Sequence, residues 1–167
     1  MNKTLLQVKD LKGYYRGTFG VVHAVDGVSL KISEGERIGI AGESGCGKST
    51  FAQLITGTTT PLLHYEGGEV KVDGFDVWKI SPEKLRKDVK CKLISYVPQA
   101  MLNSLNPVKR VREFIADMLK ERTGRKHSVN EVREMAADHF ERLGLDKNVL
   151  DVYPHELSGG MTQRAIT

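Results

Sequence analysis

Apolar and polar residues alternate along much of the first half of the chain, and this spacing predicts β-strands. The run from Leu5 to Leu11 is strand-like. A second strand is predicted by the largely alternating apolar residues Val25, Val28, Leu30 and Ile32. Farther along, the runs 69–72 and 75–77 flank Asp73-Gly74, a dipeptide typical of hairpin turns. Together these segments predict an antiparallel β layer.

The spacing of apolar residues changes to a helical period after residue 110. A first apolar stripe is broken at Gly124. A second stripe follows the capping box of Ser128 and Glu131 and ends at Gly144. The chain is therefore expected to form a helical subdomain here. The stripes consist of Val111, Phe114, Ile115, Met118 and Leu119, and of Val132, Met135, Ala136, His139, Phe140 and Leu143.

Two short apolar runs, 36–41 and 92–97, are predicted to be further strands. The first run leads into a glycine-rich loop, which is followed by helical spacing from Lys48 to Thr56. The order of strand, loop and helix is the structural context of a phosphate-binding P-loop.

The loop itself fits the P-loop or Walker A pattern, Gly-x4-Gly-Lys-Ser/Thr. Its glycines lack the Cβ atoms that would keep the backbone from curling round an anion, so successive N–H groups can point at phosphate oxygens. Lys48 can reach the terminal phosphates, and the Ser49 hydroxyl can ligate Mg²⁺. The predicted ligand is a nucleoside triphosphate, held by Gly42, Glu43, Ser44, Gly45, Cys46, Gly47, Lys48, Ser49 and Thr50.

Three further candidates have alternative interpretations when the residues are taken alone. Tyr15 is either a ring that stacks on adenine or a half-buried tyrosine at a strand end. Gln99 follows the run 92–97, where its amide could ligate Mg²⁺ or position a water, although an isolated glutamine is commonly a solvated loop residue. Ser158-Gly159-Gly160 resembles a capped, phosphate-binding helix start, although the same tripeptide is common in linkers.

Composition narrows the classes of function. The 25 basic and 21 acidic residues are interleaved and form no basic stripe, which argues against nucleic-acid binding despite the net charge of +4. No apolar run approaches the roughly 18 residues of a membrane-spanning helix, so a membrane role is expected to involve a partner. Cys46 and Cys91 lack metal-ligand spacing, and the five histidines are scattered. A reducing cytoplasm fits this cysteine usage.

Three motifs in a fixed order carry a family resemblance. They are the P-loop, Val97-Pro98-Gln99, and Leu157-Ser158-Gly159-Gly160-Met161. Over its whole length the chain resembles the ATP-binding subunits of ABC transporters, in which these motifs are the Walker A loop, the Gln loop and the signature. The segments 24–29, 104–107 and 153–157 resemble, more narrowly, the importers of oligopeptides, dipeptides and nickel.

The resemblance implies an α/β fold, with a P-loop NTPase core, an N-terminal antiparallel β layer and a helical subdomain. It divides the chain into a nucleotide-binding core at 1–98, the Gln loop and helical subdomain at 99–157, and the start of the signature helix at 158–167. It also implies an ABC-type ATPase that couples ATP binding and hydrolysis to the uptake of peptides or nickel.

The resemblance also implies roles for residues and partners. Tyr15 would stack on adenine, Lys48 and Gln99 would serve catalysis, and Ser49 and Gln99 would contact Mg²⁺. Two subunits would pair head to tail, each ATP lying between one P-loop and the other subunit's Ser158-Gly159-Gly160. Transmembrane permease subunits would dock near residues 101–114, with no nucleic acid involved. The expected location is the cytoplasm, peripheral on the inner face of the cell membrane.

The chain departs from the family in one respect: it contains no Walker B strand and no adjacent Asp-Glu pair. Phosphoryl transfer to water needs a positioned nucleophile and a fully held metal, so we expect the chain alone to hydrolyse ATP poorly. We interpret it as the truncated N-terminal part of a longer protein, with an incomplete core sheet and a tendency to self-associate. Two alternatives are a non-transport ABC protein acting on DNA or ribosomes, and a non-catalytic nucleotide-binding fragment.

Overall fold

The computed structural model describes residues 2–18, 20–90, 92–97 and 105–166. The chain forms two compact units, Met1–Tyr96 and Val97–Thr167. Within the described residues, no helix is long and apolar enough to cross a membrane. The first unit contains β1 (Thr4–Gly17), β2 (Gly20–Ser33), α1 (Lys48–Ile55), β3 (Leu63–Val72), β4 (Phe75–Asp76), α2 (Pro82–Lys84) and a π-helical turn at Leu85–Lys90. The second contains α3 (Val111–Thr123), α4 (Val129–Arg142), 3-10 turns at Lys147–Asp151 and Pro154–Glu156, and α5 (Gly159–Ile166).

The first unit is built on a four-stranded antiparallel sheet with the order β2-β1-β3-β4. Strand β1 is central and pairs with β2 from Thr4 opposite Ser33 to Gly17 opposite Gly20. The predicted hairpin is present as β3 and β4, and its turn residues Asp73 and Gly74 have φ values of 45° and 88°. The predicted antiparallel layer is confirmed, and β1 runs past Leu11 because irregularities in its register let pairing continue.

A single apolar core holds α1 against this sheet. Helix α1 contributes Phe51 and Leu54, both buried, and the π-helical turn contributes Val89. Because α1 begins directly after the glycine-rich loop, this packing fixes the loop's position relative to β1 and β2. The buried sheet residues of the core are Leu6, Val8, Leu11, Val25, Leu63, Val70 and Val72.

The runs 36–41 and 92–97 are not strands, which corrects the sequence-based expectation. Both are irregular, and Ile38 and Ile40 are 39% and 53% exposed. A short apolar run becomes a strand only when a neighbouring strand takes up its N–H and C=O groups. Among the described residues, neither run pairs with a strand, and β2 forms an edge of the sheet. This open sheet confirms the expected incomplete core.

The second unit packs α3 and α4 around a separate core. The expected second stripe is too broad, because Met135 is 49% exposed and His139 also lies at the surface. Two short helices bury only a narrow seam, so residues at the margin of an apolar stripe remain in water. The core residues are Val111, Ala136, Phe140, Leu145, Val149 and Leu150.

Local polar contacts fix the ends of these helices. The Ser128 hydroxyl accepts a hydrogen bond from the Glu131 N–H at 3.3 Å, and the Glu131 carboxylate accepts one from the Ser128 N–H at 2.7 Å. This reciprocal pair confirms the predicted capping box. Asp151 accepts hydrogen bonds from Arg112 of α3 and Arg133 of α4, which ties the turn after α4 to both helices.

The capping box predicts an acid-sensitive step in stability. The backbone hydrogen bond from Ser128 and the side-chain bond from Arg125 lower the pKa of Glu131 from 4.5 to about 2. A carboxylate with a lowered folded-state pKa stabilises the fold above its unfolded pKa, and that contribution is lost as pH falls through the folded value. Between these two values, we therefore expect wild-type stability to fall more steeply than that of Glu131→Gln.

Thermal unfolding followed by circular dichroism across that pH window measures the difference. Glutamine preserves the shape of the capping box, so the comparison isolates the charge. Glu134→Gln, at an exposed position on the same helix, is the control. If both variants follow the wild-type pH profile, the assigned role of Glu131 is wrong.

Candidate nucleotide-binding site

The glycine-rich loop lies between the irregular run 36–41 and the first turn of α1. Gly47 has φ 96°, and a Cβ atom built on it would lie 2.2 Å from the carbonyl oxygen of Ala24 in β2. No side chain fits at that distance, so the loop reaches its observed position only with glycine here. The loop therefore packs directly against the backbone of strand β2. The sequence analysis did not predict this contact.

Lys48 folds back over the loop. Its Nζ donates hydrogen bonds to the carbonyl oxygens of Gly42 at 2.7 Å and Glu43 at 2.6 Å, and lies 3.4 Å from the Cys46 Sγ. These contacts place the ammonium group at the loop backbone, where an anion held by the loop would meet it. Phosphate oxygens accept stronger, charge-assisted hydrogen bonds than neutral carbonyls do.

The N-terminus of α1 is open to an anion. Gly47 is the N-cap residue, no side chain caps the helix, and its first turn has no acidic residue. The first N–H groups of α1 therefore have no side-chain partner, and the positive end of the helix dipole lies at the residue that precedes Lys48. Ser49 is exposed in this first turn, whereas Thr50 is buried.

Tyr15 lies next to the same turn. Its hydroxyl is 3.1 Å from the Thr50 Oγ1, and its half-buried ring packs against the core of the first unit. The structure thus brings Tyr15 from β1 to the first turn of α1. Stacking of this ring on adenine stays a prediction.

The other end of α1 is held by a residue that sequence reasoning missed. The Lys90 Nζ donates to the Gly57 carbonyl at 3.2 Å and to the Thr58 Oγ1 at 3.0 Å. Burial lowers the pKa of Lys90. A cation stabilises the negative, C-terminal end of a helix, so Lys90 stabilises the end of α1 opposite the glycine-rich loop. The sequence could not predict this contact, because Lys90 lies 33 positions from Gly57 and no motif connects the two residues.

The signature residues form the start of α5 in the second unit. The Ser158 Oγ accepts a hydrogen bond from the Met161 N–H at 3.3 Å, which confirms the predicted helix start and its cap. Gly159 and Gly160 lie exposed in the first turn. Gln99 lies outside the described residues.

The family model of the ABC transporter matches residues 25–166. The chain belongs to the ABC transporter family. The oligopeptide transport ATP-binding protein AppF of Bacillus subtilis (strain 168) is 38% identical over 169 residues, which span 97% of this chain and 49% of that protein.

A second relative and a solved structure agree with this family. The dipeptide transport ATP-binding protein DppD of Caldanaerobacter subterraneus subsp. tengcongensis is 38% identical over 163 residues, covering 97% of this chain and 49% of that protein. A dimeric ATP-binding cassette solved in a post-hydrolysis state with ADP and Pi has a TM-score of 0.83 and 27% identity, over 96% of this chain and 66% of its own. These matches confirm the predicted fold class and the resemblance to peptide importers. The chain spans about half the length of the curated relatives it matches.

Proposed function

We propose that the chain is the ATP-binding part of an ABC importer ATPase that couples ATP binding and hydrolysis to the uptake of peptides or nickel. The observation that carries this proposal is the phosphate-binding loop. The Lys48 ammonium lies on the loop carbonyls of Gly42 and Glu43, and the start of α1, which follows the loop directly, has no side-chain cap. The names of the relatives, which refer to oligopeptide and dipeptide transport, support peptides as the cargo.

The residues of the loop also fit Mg²⁺ bound together with the nucleotide. Ser49 offers an exposed hydroxyl oxygen beside Lys48, and Mg²⁺ prefers oxygen ligands supplied by one or two protein groups together with phosphates and water. No cluster of His, Cys, Asp and Glu among the described residues could hold a metal by itself. In this proposal Ser49 and Gln99 contact Mg²⁺, which neutralises phosphate charge, while Lys48 orients the terminal phosphates.

The proposed partners are a second ATP-binding subunit and transmembrane permease subunits. The start of α5 offers N–H groups in a glycine-containing turn capped by Ser158, whereas the start of α1 offers N–H groups that no side chain caps. Two such helix starts from different subunits would stabilise one polyphosphate between them. The 167 residues include no adjacent Asp-Glu pair, so we propose that this polypeptide alone turns ATP over slowly.

Calorimetry with Mg-ATP and a phosphate-release assay on the same protein sample test the proposed function. We expect saturable binding with one nucleotide per chain and little phosphate release. ADP should compete with Mg-ATP for this site, because it keeps phosphates that the loop binds, whereas adenosine should not compete. Failure of Mg-ATP to bind, or equal competition by adenosine, would rule out the loop as the phosphate site.

Self-association of the chain is a further expectation. Among the described residues, the run 36–41 has no strand partner. Its Ile38 and Ile40 are exposed, and Ile40 lines an open cleft beside Val28 and Phe51. Exposed apolar side chains next to an unpaired strand edge favour pairing with a second copy. Light scattering should show oligomers that decrease in the double variant Ile38→Ser/Ile40→Ser. Val129→Ser, at a 50% exposed position on α4 in the second unit, should leave them unchanged. A strictly monomeric wild type would contradict the expectation.

A further inference from the structure

Arg164 links α5 to the end of α4. Its Nη1 donates hydrogen bonds to the carbonyl oxygens of Leu143 and Gly144, each at 3.1 Å. Its Nε donates to the carbonyl oxygen of Gly160 at 3.3 Å. One exposed side chain near the end of α5 therefore contacts both the first turn of its own helix and the residues that terminate α4.

The two carbonyls that follow α4 are well suited to a guanidinium group. The last carbonyls of an α-helix have no partner within the helix, and they carry the negative end of its dipole. Arginine presents several N–H donors in a rigid planar group, so it can bind carbonyl groups on two sides at once. Lysine, with one ammonium group, can satisfy only part of this arrangement.

The contact with Gly160 acts on the first turn of α5. The peptide that joins Gly160 to Met161 is held at both ends, since its carbonyl accepts from Arg164 and its N–H donates to the Ser158 Oγ. A peptide plane fixed at its N–H and its C=O cannot rotate freely. Fixing this peptide restricts the ψ angle of Gly160, and so limits how the glycine-containing first turn, with the N–H groups of Gly159 and Gly160, can rearrange.

We propose that Arg164 is a positioning residue that sets the first turn of α5 for phosphate contact by anchoring it to the end of α4. This inference rests on the proposed function, in which Ser158, Gly159 and Gly160 contact the nucleotide bound by a second subunit. Arg164 itself touches no phosphate in this proposal. It acts through the Gly160 carbonyl and through the carbonyls of Leu143 and Gly144.

Hydrogen exchange without nucleotide provides the first test, because it does not depend on ATP binding. Exchange of the Met161 and Thr162 amides should accelerate about ten-fold in Arg164→Ala, since local opening loses charge-assisted hydrogen bonds. The exchange rates of these amides in Arg164→Lys should fall between those of Arg164→Ala and the wild type. Arg142→Ala, at an exposed position in the last turn of α4, removes the same charge and should leave these amides unchanged. Unchanged exchange in Arg164→Ala would overturn the proposal.

Saturating Mg-ATP, or a non-hydrolysable analogue, separates positioning from simple stabilisation. In the wild type, nucleotide should slow exchange at both 42–50 and 158–161, as two copies pair. In Arg164→Ala, protection at 42–50 should persist while protection at 158–161 is lost, and Arg164→Lys should restore part of it. Equal protection of 158–161 in the wild type and Arg164→Ala would overturn positioning, as would its absence in a wild type that is protected at 42–50. Absence of protection at 42–50 would instead count against the proposed function, and the nucleotide-free comparison would still decide the role of Arg164.

Discussion

Replacing Lys48 with alanine should lower the affinity for Mg-ATP at least about a hundred-fold, because the loop loses the cation that binds the terminal phosphates. The ammonium group lies within 2.7 Å of two loop carbonyls, so it is already placed over the loop backbone. Its replacement removes charge from the site without changing the glycine backbone or the start of α1. Isothermal titration calorimetry gives the affinity of both proteins directly.

Two controls sharpen this expectation. Lys31→Ala removes an exposed lysine of β2 and should bind Mg-ATP like the wild type, which separates the local effect from a change in net charge. Adenosine affinity, where measurable, should change little in Lys48→Ala, because adenosine carries no phosphate. Equal Mg-ATP affinity in the wild type and Lys48→Ala would show that the loop is not the phosphate site.

The features that could be predicted from the sequence are those that depend on local chemistry. The capping box of Ser128 and Glu131, the turn at Asp73-Gly74 and the cap at Ser158 each join residues three positions apart. Such contacts leave a signature in consecutive residues. The glycine-rich loop is predictable for the same reason, because its function needs fixed residue types at fixed spacing.

The features that could not be predicted depend on residues distant in sequence. Lys90 contacts the residues after α1 from 33 positions away, and the Ala24 carbonyl meets Gly47 from 23 positions away. The run 36–41 has the composition of a buried strand, yet strand formation depends on a partner that its own residues do not specify. Met135 was misassigned because periodicity identifies a face of a helix but does not show how much of that face a neighbour covers.

The contact between Gly47 and Ala24 leads to the second large expected effect. Gly47→Ala should destabilise the first unit by about 3 kcal/mol and abolish Mg-ATP binding. A left-handed backbone costs an alanine about 1–2 kcal/mol, and overpacking against fixed neighbours costs a similar additional amount. The added Cβ would lie 2.2 Å from the Ala24 carbonyl oxygen. That oxygen belongs to the backbone of β2, at the irregularity between the pairs Gly13–Val25 and Tyr14–His23, so a shift of backbone and not a rotamer change is needed to relieve the clash.

Gly45→Ala is the matched control, because it separates backbone strain from the clash. Gly45 also has a positive φ, 81° against 96° at Gly47, but a Cβ built on it meets nothing within 4 Å. We expect Gly45→Ala to lose only about 1–2 kcal/mol of stability, which is the cost of the left-handed backbone, and to keep measurable nucleotide binding. Urea unfolding gives the two stabilities, and calorimetry gives the two affinities. If the two variants are equally stable and bind equally well, β2 does not support the loop through Ala24, and the loop's position would have to come from α1 and its packing on the sheet alone.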